Sequence, residues 1–383
     1  MIPPITRQIL TRDFILAFLA QLASSFIFFI LIPTLPIYLT GLGSTEIETG
    51  ILLGVFFFCS LICRPFVGRA LSRTPEKRFM IVGTSLYILA SMAYLFSPPF
   101  WPFFIVRVLH GIGFGFFHTS SFTFIGNTAS KAHRGQNLGY FSLAMTFSSA
   151  LAPAAGMLLI NRFNFTVLFL LCLGLAFCSL LITNQLAGRQ PVPSLASSPE
   201  DRLFLHPRAI PASVTNSISL FMWGALAAFF PLYAVDHGIN NPGLFFTTVA
   251  IMLFLGRSIG ARILDLYKRE NVILPCLVAY VISMAILAFS ETLPMFILVA
   301  VIWGIGNAFS MPSLIAYILD RVPSSTGPAM GTFTAISDLG LSLGPVIMGI
   351  IIHLAGYQVM FSCLALTGMI NLLYFYFFVR GKG

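Results

Sequence analysis

Charge is what this sequence has least of. Of its 383 residues, 21 are Lys or Arg and 12 are Asp or Glu, 9% in all, against 57% hydrophobic residues and a mean hydropathy of +0.93. A soluble protein of this length needs about 25% charged residues to cover its surface, so a water-soluble globular chain is excluded. Cysteine is also sparse. Cys59, Cys63, Cys172, Cys178, Cys276 and Cys363 all fall inside apolar stretches and none forms a C-x-x-C pair, so neither a disulfide framework nor a metal site is indicated. No G-x-x-x-x-G-K-[ST] sequence occurs, the only Gly-Lys pair being Gly381-Lys382, which leaves no ATP motif. No Ser/His/Asp constellation marks an enzyme and no ring of charges marks a channel, so catalytic residues and cofactors are not expected.

What the chain has in quantity is apolar length, with 40 Phe and 31 Gly. In lipid only structures that satisfy their own backbone hydrogen bonds survive, and about 20 apolar residues suffice for a helix to cross. Runs of that kind predict an all-α integral membrane protein with twelve transmembrane helices in two pseudo-symmetric six-helix bundles. The predicted spans are 13–39, 47–71, 79–97, 100–128, 136–160, 164–186, 211–235, 243–267, 271–291, 293–320, 328–353 and 357–379. A proline-rich polar stretch over 187–210 reads as a linker between an N-terminal bundle, 1–186, and a C-terminal bundle, 211–383. The first apolar run is too long for a signal-peptide core and lacks a cleavage pattern, so the first helix is expected to be retained.

The net charge of +9 would suit a nucleic-acid binder in another composition. Here the basic residues stand at intervals between apolar runs. With a cytoplasmic N-terminus, all but Arg107 and Arg162 fall at cytoplasmic ends and loops, the bias that orients membrane proteins. The expectation is a multi-pass protein of the cell membrane with both termini cytoplasmic, in contact with lipid and not with nucleic acid.

The two halves repeat. Pro36 and Tyr38 match Pro231 and Tyr233 at an offset of 195, Arg64 matches Arg257 at 193, Gly111 and Gly113 match Gly304 and Gly306 at 193, and Gly139 and Pro153 match Gly331 and Pro345 at 192. A slow drift over four helix pairs is the mark of an internal duplication. Six helices per copy give both copies the same orientation, the arrangement in which substrate sites lie near midplane between halves.

Several motifs sit at matching places in this frame. The second helix and following loop read Arg64-Pro-Phe-Val-Gly68-Arg69-Ala-Leu-Ser72-Arg73, and the second copy reads Arg257-Ser-Ile-Gly260-Ala261-Arg262-Ile-Leu-Asp265. The fourth helix carries Arg107-Val-Leu-His110-Gly111-Ile-Gly113-Phe-Gly115. The fifth has Ala152-Pro153-Ala-Ala-Gly156, and its copy has Gly340-x-x-x-Gly344-Pro345-x-x-x-Gly349. Together they resemble the major facilitator superfamily over essentially the whole chain, and within it the twelve-helix drug:proton antiporter branch. The resemblance implies a monomeric secondary transporter for a small molecule, coupled to protons. It also implies that Arg64, Arg69, Ser72, Arg257, Arg262 and Asp265 belong to cytoplasmic gating elements, and that Pro153, Gly156, Gly344 and Pro345 belong to helix-kink motifs. Ser72 stands where the family has Asp, and Pro75 where it usually has Gly, so the first copy lacks the carboxylate of the gating latch. The alternative for the basic loop residues is orientation through anionic lipid.

Ionisable groups inside a membrane are costly and are functional candidates by default. On a helix turning about 100° per residue, Arg107, His110, Phe114, His118 and Ser121 share one face of the fourth helix. That face reads as a path for a proton, since histidine changes charge near neutral pH, or for an anionic group; the alternative is two neutral imidazoles bridging helices. Asp338, about 15 Å into the eleventh helix, shares a face with Thr334, Ser342 and Pro345. It reads either as a proton acceptor or as a polar helix-crossing contact. Gln21, Asn216 and Asn307, with Ser121, are candidates for a substrate cavity or for hydrogen bonds between helices.

Three functions fit this sequence. The first is proton-coupled efflux of a small apolar or amphipathic compound by alternating access. The second is an uptake symporter or facilitator for a small polar or anionic metabolite, with Arg107 as the anion's partner. The third is a transport-inactive sensor or scaffold, which the Ser72 departure keeps open.

Overall fold

A computed structural model of the chain describes residues 11–71, 73–98, 100–128, 134–188, 206–322 and 326–381, with side chains at 134–135, 259–265 and 326–328 excepted. Among these residues every regular element is helical. In chain order they are α1 (Arg12–Gly41), α2 (Glu46–Ala70), α3 (Glu76–Tyr94), α4 (Trp101–Thr128), α5 (Arg134–Arg162), α6 (Phe165–Asn184), α7 (Ile210–Asp236), α8 (Gly243–Leu266), α9 (Arg269–Leu287) and α10 (Leu293–Arg321). A last helical stretch, Thr326–Tyr374, is divided at Gly356, whose φ of 81° and ψ of 175° are open to glycine and interrupt the helix. It supplies α11 (326–355) and α12 (357–374), so the described residues hold twelve helices, as the apolar runs predict.

Among the described residues nine helical stretches, counting Ala329–Val379 as one, are long and apolar enough to cross a membrane. Large side chains at the protein surface fit the same setting. Phe96 is 81% exposed, Leu354 77% and Trp101 70%, surface that lipid accommodates and water does not.

Local signals start the helices where the sequence places them. Thr45 and Glu48 form a reciprocal capping box at the start of α2, with Glu48 Oε2 accepting from Thr45 N at 2.9 Å and Thr45 Oγ1 accepting from Glu48 N at 3.2 Å. Asn164 caps α6 by accepting from Val167 N at 3.0 Å.

The chain divides into two compact units. The first comprises Met1–Tyr38 and Val55–Leu195, the second Leu39–Gly54 and Ala196–Gly383. Glycine sets the helix spacing within each, because only a missing Cβ lets two backbones approach this closely. In the first unit a Cβ on Gly111 of α4 would strike the carbonyl of Phe56 on α2, and one on Gly113 would lie 3.0 Å from the carbonyl of Gly83 on α3. In the second unit a Cβ on Gly304 of α10 would lie 3.2 Å from the carbonyl of Val249 on α8, and one on Gly306 would lie 3.1 Å from that of Cys276 on α9. Both members of each pair are displaced by 193 residues from their counterparts. A similar contact recurs in a shifted register: Tyr38 donates its hydroxyl to the Tyr94 carbonyl at 3.5 Å, and Tyr233 donates to the Ser290 carbonyl, beyond the end of α9, at 2.7 Å.

The start of α2 belongs to the second unit for the same reason. Gly50 passes against the carbonyl of Pro345, and a Cβ on Gly54 would lie 2.6 Å from the carbonyl of Ser342, both on α11. Nδ1 of His353 pairs with Oε2 of Glu46 at 3.1 Å on the same contact.

Candidate functional site

The fourth helix carries the buried Arg107 and His110 of the first unit, and the close approach of α3 completes the site. Tyr94, the last residue of α3, is fully buried; Arg107 is 5% exposed and His110 2%. Arg107 Nη1 donates to the Tyr94 hydroxyl oxygen at 3.3 Å, and that hydroxyl lies 2.8 Å from Nδ1 of His110. The Tyr94 oxygen accepts from the permanently charged guanidinium, which leaves its own proton to donate to His110. In the neutral tautomer with the ring proton on Nε2, Nδ1 is the acceptor of that phenol proton. Among the described residues Nε2 is buried with no hydrogen-bond partner. Aromatic rings close the site: Phe56 lies 4.5 Å beneath the guanidinium, and the rings of Phe56 and Tyr87 lie 5.0 and 4.9 Å from that of His110.

A second polar group lies farther along α4. Ser121 donates to Gln21 Oε1 at 2.8 Å, while Gln21 Nε2 donates to Ser25 at 2.9 Å and lies 3.5 Å from His118 Nδ1. His110 and His118 are separated by about 12 Å of helix rise, and the gap is filled with rings. Phe114 lies 5.0 Å from His118 and 5.3 Å from Phe56, which in turn touches His110. The face shared by Arg107, His110, Phe114, His118 and Ser121 therefore carries two polar clusters with an aromatic layer between them, since Phe28 of α1 and Phe56 of α2 close over Phe114.

At the 193-residue offset, Tyr87, Tyr94, Arg107 and His110 correspond to Tyr280, Leu287, Ala300 and Trp303. The ring framework persists, with Trp303 4.4 Å from Tyr280 as His110 is 4.9 Å from Tyr87. The charge and the imidazole do not. Leu287, Ala300 and Trp303 are all fully or almost fully buried, so this fold closes at these positions with apolar side chains, and the polar cluster of the first unit is not needed for packing.

In the second unit Asn216 of α7 donates to Ser337 of α11 at 2.8 Å, a bridge between helices. Asp338, the next residue, is partly buried, as is Asn307 on α10. Arg64 is partly buried, whereas Arg69 and Arg257 are exposed. Ser72 and the side chains of Arg262 and Asp265 lie outside the described residues. Pro153 is buried within α5, which continues as helix on both sides of it. Gly156 brings α5 onto α1, where a Cβ would meet Ile30 at 2.6 Å; Gly344 rests against the Phe221 carbonyl of α7, and Pro345 beside it is buried. Among the described residues no group of three His, Cys, Asp or Glu can hold a metal ion.

Two groups escaped the sequence reading. Tyr94 is one; the only signal for it is a phenol at the end of an apolar run, a side chain that seeks a polar partner when buried. Asn371 of α12 is the other, donating to the Thr215 carbonyl at 3.0 Å and Ser219 at 3.1 Å. Nζ of Lys77, one of the basic residues between the apolar runs, donates to the carbonyls of Asn184 and Leu186 at 2.8 Å each, so it caps the C-terminal end of α6.

Comparison with known proteins places this geometry. The chain is 23% identical over 335 residues to the staphylopine export protein of Staphylococcus aureus, a match covering 84% of each chain. It is 21% identical over 363 residues to the quinolone resistance protein NorA of the same species, covering 90% of this chain and 91% of that one. Its fold superimposes on a POT family transporter solved with 5-aminolevulinic acid with a TM-score of 0.81, covering 95% of both chains at 11% identity, a likeness of fold alone. The family model of the Major Facilitator Superfamily matches residues 17–271 and 212–383. With twelve helices, glycine contacts repeated at one offset and this match over nearly its full length, the chain belongs to the Major Facilitator Superfamily and is a multi-pass membrane transporter.

Proposed function

We propose that the protein is a proton-coupled exporter of small apolar or amphipathic compounds that works by alternating access, as a monomer with both termini in the cytoplasm. The observation that carries this reading is the buried Arg107, Tyr94 and His110 cluster, present in one unit and replaced by Ala300, Leu287 and Trp303 in the other. A fixed charge and a titratable ring at membrane depth are costly, and packing does not require them.

The geometry supplies a proton-dependent event. With His110 neutral, the phenol proton points to Nδ1 and the phenol oxygen receives Arg107. Once His110 is protonated, Nδ1 becomes a donor to the same oxygen. Two cations then converge on Tyr94, whose hydroxyl must turn to another acceptor. The like charges repel in a dry site, and relief comes from a change in how α3 and α4 pack or from loss of the proton. Asp338 is the acidic candidate of the second unit and the acceptor we assign to the substrate-exchange step; His118, with Gln21 and Ser121, is the second titratable position on α4.

The scarcity of charge favours an apolar or amphipathic cargo, and the similarity to an export protein and a quinolone resistance protein supports the outward direction. Uptake of an anion held by Arg107 fits less well, because its guanidinium is buried, bound to Tyr94 and stacked on Phe56. The test is transport in proteoliposomes across a panel of hydrophobic dyes and drugs under an imposed pH gradient. Export requires cargo to move against the proton flow and the gradient to dissipate as it moves. Anion accumulation along the proton flow, or no flux for any compound, would remove this reading.

A further inference from the structure

At the turn from α8 to α9, two recesses of opposite character meet at Tyr267. The first, about 540 Å³, is lined by Lys268, Arg269, Glu270, Asp320 and Arg321 together with Tyr267 and Tyr317. Arg269 pairs with Asp320 and Arg321 with Glu270, each at 3.4 Å, and the Arg321 guanidinium lies 3.5 Å over the Tyr317 ring. That accounts for both carboxylates. Among the described residues Lys268 has no carboxylate within ion-pair distance, so the recess carries a surplus of one positive charge.

The second recess, about 320 Å³, continues from Tyr267 along α9 and α10 and is almost wholly apolar. Asn271, Pro275 and Ala279 stand at four-residue intervals on α9, and Ile305 and Phe309 face them from α10. Asn271, Pro275 and Ile305 are exposed, so the groove opens outward. It exists because small residues floor it: a Cβ on Gly306 would lie 3.2 Å from that of Ala279. The duplicated half shows that the fold does not demand it. At the 193-residue offset Lys268, Pro275 and Ala279 correspond to Pro75, Val82 and Leu86, which offer no cation and fuller side chains.

We propose that these joined recesses bind one anionic phospholipid, its phosphate at Lys268 beside Arg269 and Arg321, and an acyl chain along the groove between α9 and α10. The charge surplus calls for an anion, and the membrane end concerned is the one the Lys and Arg bias assigns to the cytoplasm, where anionic headgroups attract such pockets. The continuous apolar groove calls for a chain attached to that anion, which a free phosphate lacks.

Native mass spectrometry of the full-length protein in detergent, titrated with phosphatidylglycerol or phosphatidylcholine, tests this. Wild type retains phosphatidylglycerol at least several-fold more tightly than phosphatidylcholine, and millimolar inorganic phosphate does not displace it. Lys268→Gln, a change at the turn, weakens phosphatidylglycerol about fivefold and leaves phosphatidylcholine unchanged. Ala279→Phe, which fills the groove, weakens both, with circular dichroism confirming the fold. Equal retention of the two lipids, no effect of Lys268→Gln, or displacement by inorganic phosphate overturns the proposal. Lys268→Gln decides the question even if Ala279→Phe fails to fold.

Discussion

The hydroxyl of Tyr94 lies 2.8 Å from Nδ1 of His110, across the contact between α3 and α4, with the Arg107 guanidinium held on the same oxygen. One phenol thus reads both the fixed charge and the titratable ring. Neither helix alone places these groups together.

Tyr94→Phe keeps the ring and removes the shared oxygen. The buried guanidinium loses one acceptor and His110 its donor, a loss of about 1–3 kcal/mol. We expect the apparent Tm in detergent to fall and the pH dependence of dye export to shift, while a dye already loaded still exchanges. An unchanged pH profile would show that Tyr94 only packs.

Asp338 on α11 is partly buried beside a Ser337 already engaged by Asn216. Asp338→Asn keeps the shape and removes the titratable proton. Proton-driven transport should be abolished with counterflow exchange intact, measured in the same proteoliposomes. If driven transport persists at the wild-type rate, Asp338 is not the coupling group.

Gly111 and Gly139 separate packing from propensity. A Cβ at Gly111 would collide with the Phe56 carbonyl, whereas nothing lies within 4 Å of one at Gly139. Gly111→Val should destabilise by about 1–3 kcal/mol, and Gly139→Ala, within α5, should stabilise by roughly 0.5–1 kcal/mol. Thermal unfolding of the two purified variants, run side by side, checks the contrast in sign.

The Glu46 and His353 pair joins the start of α2 to α11, but both side chains are 40% exposed or more. Such a pair contributes about 0–1 kcal/mol and is screened by salt. Glu46→Gln should therefore change stability little and only at low ionic strength, while Gly54→Leu, whose first side-chain carbon would press on the Ser342 carbonyl, should disrupt the same contact at any salt. Equal effects would mean the charge, and not the close backbone approach, holds it.

Some of this was written in the residues. The helix count follows from apolar length, because lipid leaves few other ways to satisfy a backbone. The duplication shows in Gly111, Gly113, Gly304 and Gly306, because those positions tolerate no side chain and so keep their spacing. The places of Arg107, His110, His118 and Ser121 on α4 follow from helical spacing alone. The partners do not. Spacing assigns a side chain to a face but says nothing of what the neighbouring helix brings to it, so Tyr94, sixteen residues before His110, was invisible. Nor could it show that Phe28 and Phe56, from α1 and α2, close over Phe114 and divide that face into two polar clusters. The sequence by itself determined how many helices cross and which carry charge. Only the tertiary packing, through contacts between residues far apart in the chain, decided which of those charges meet and which are kept apart.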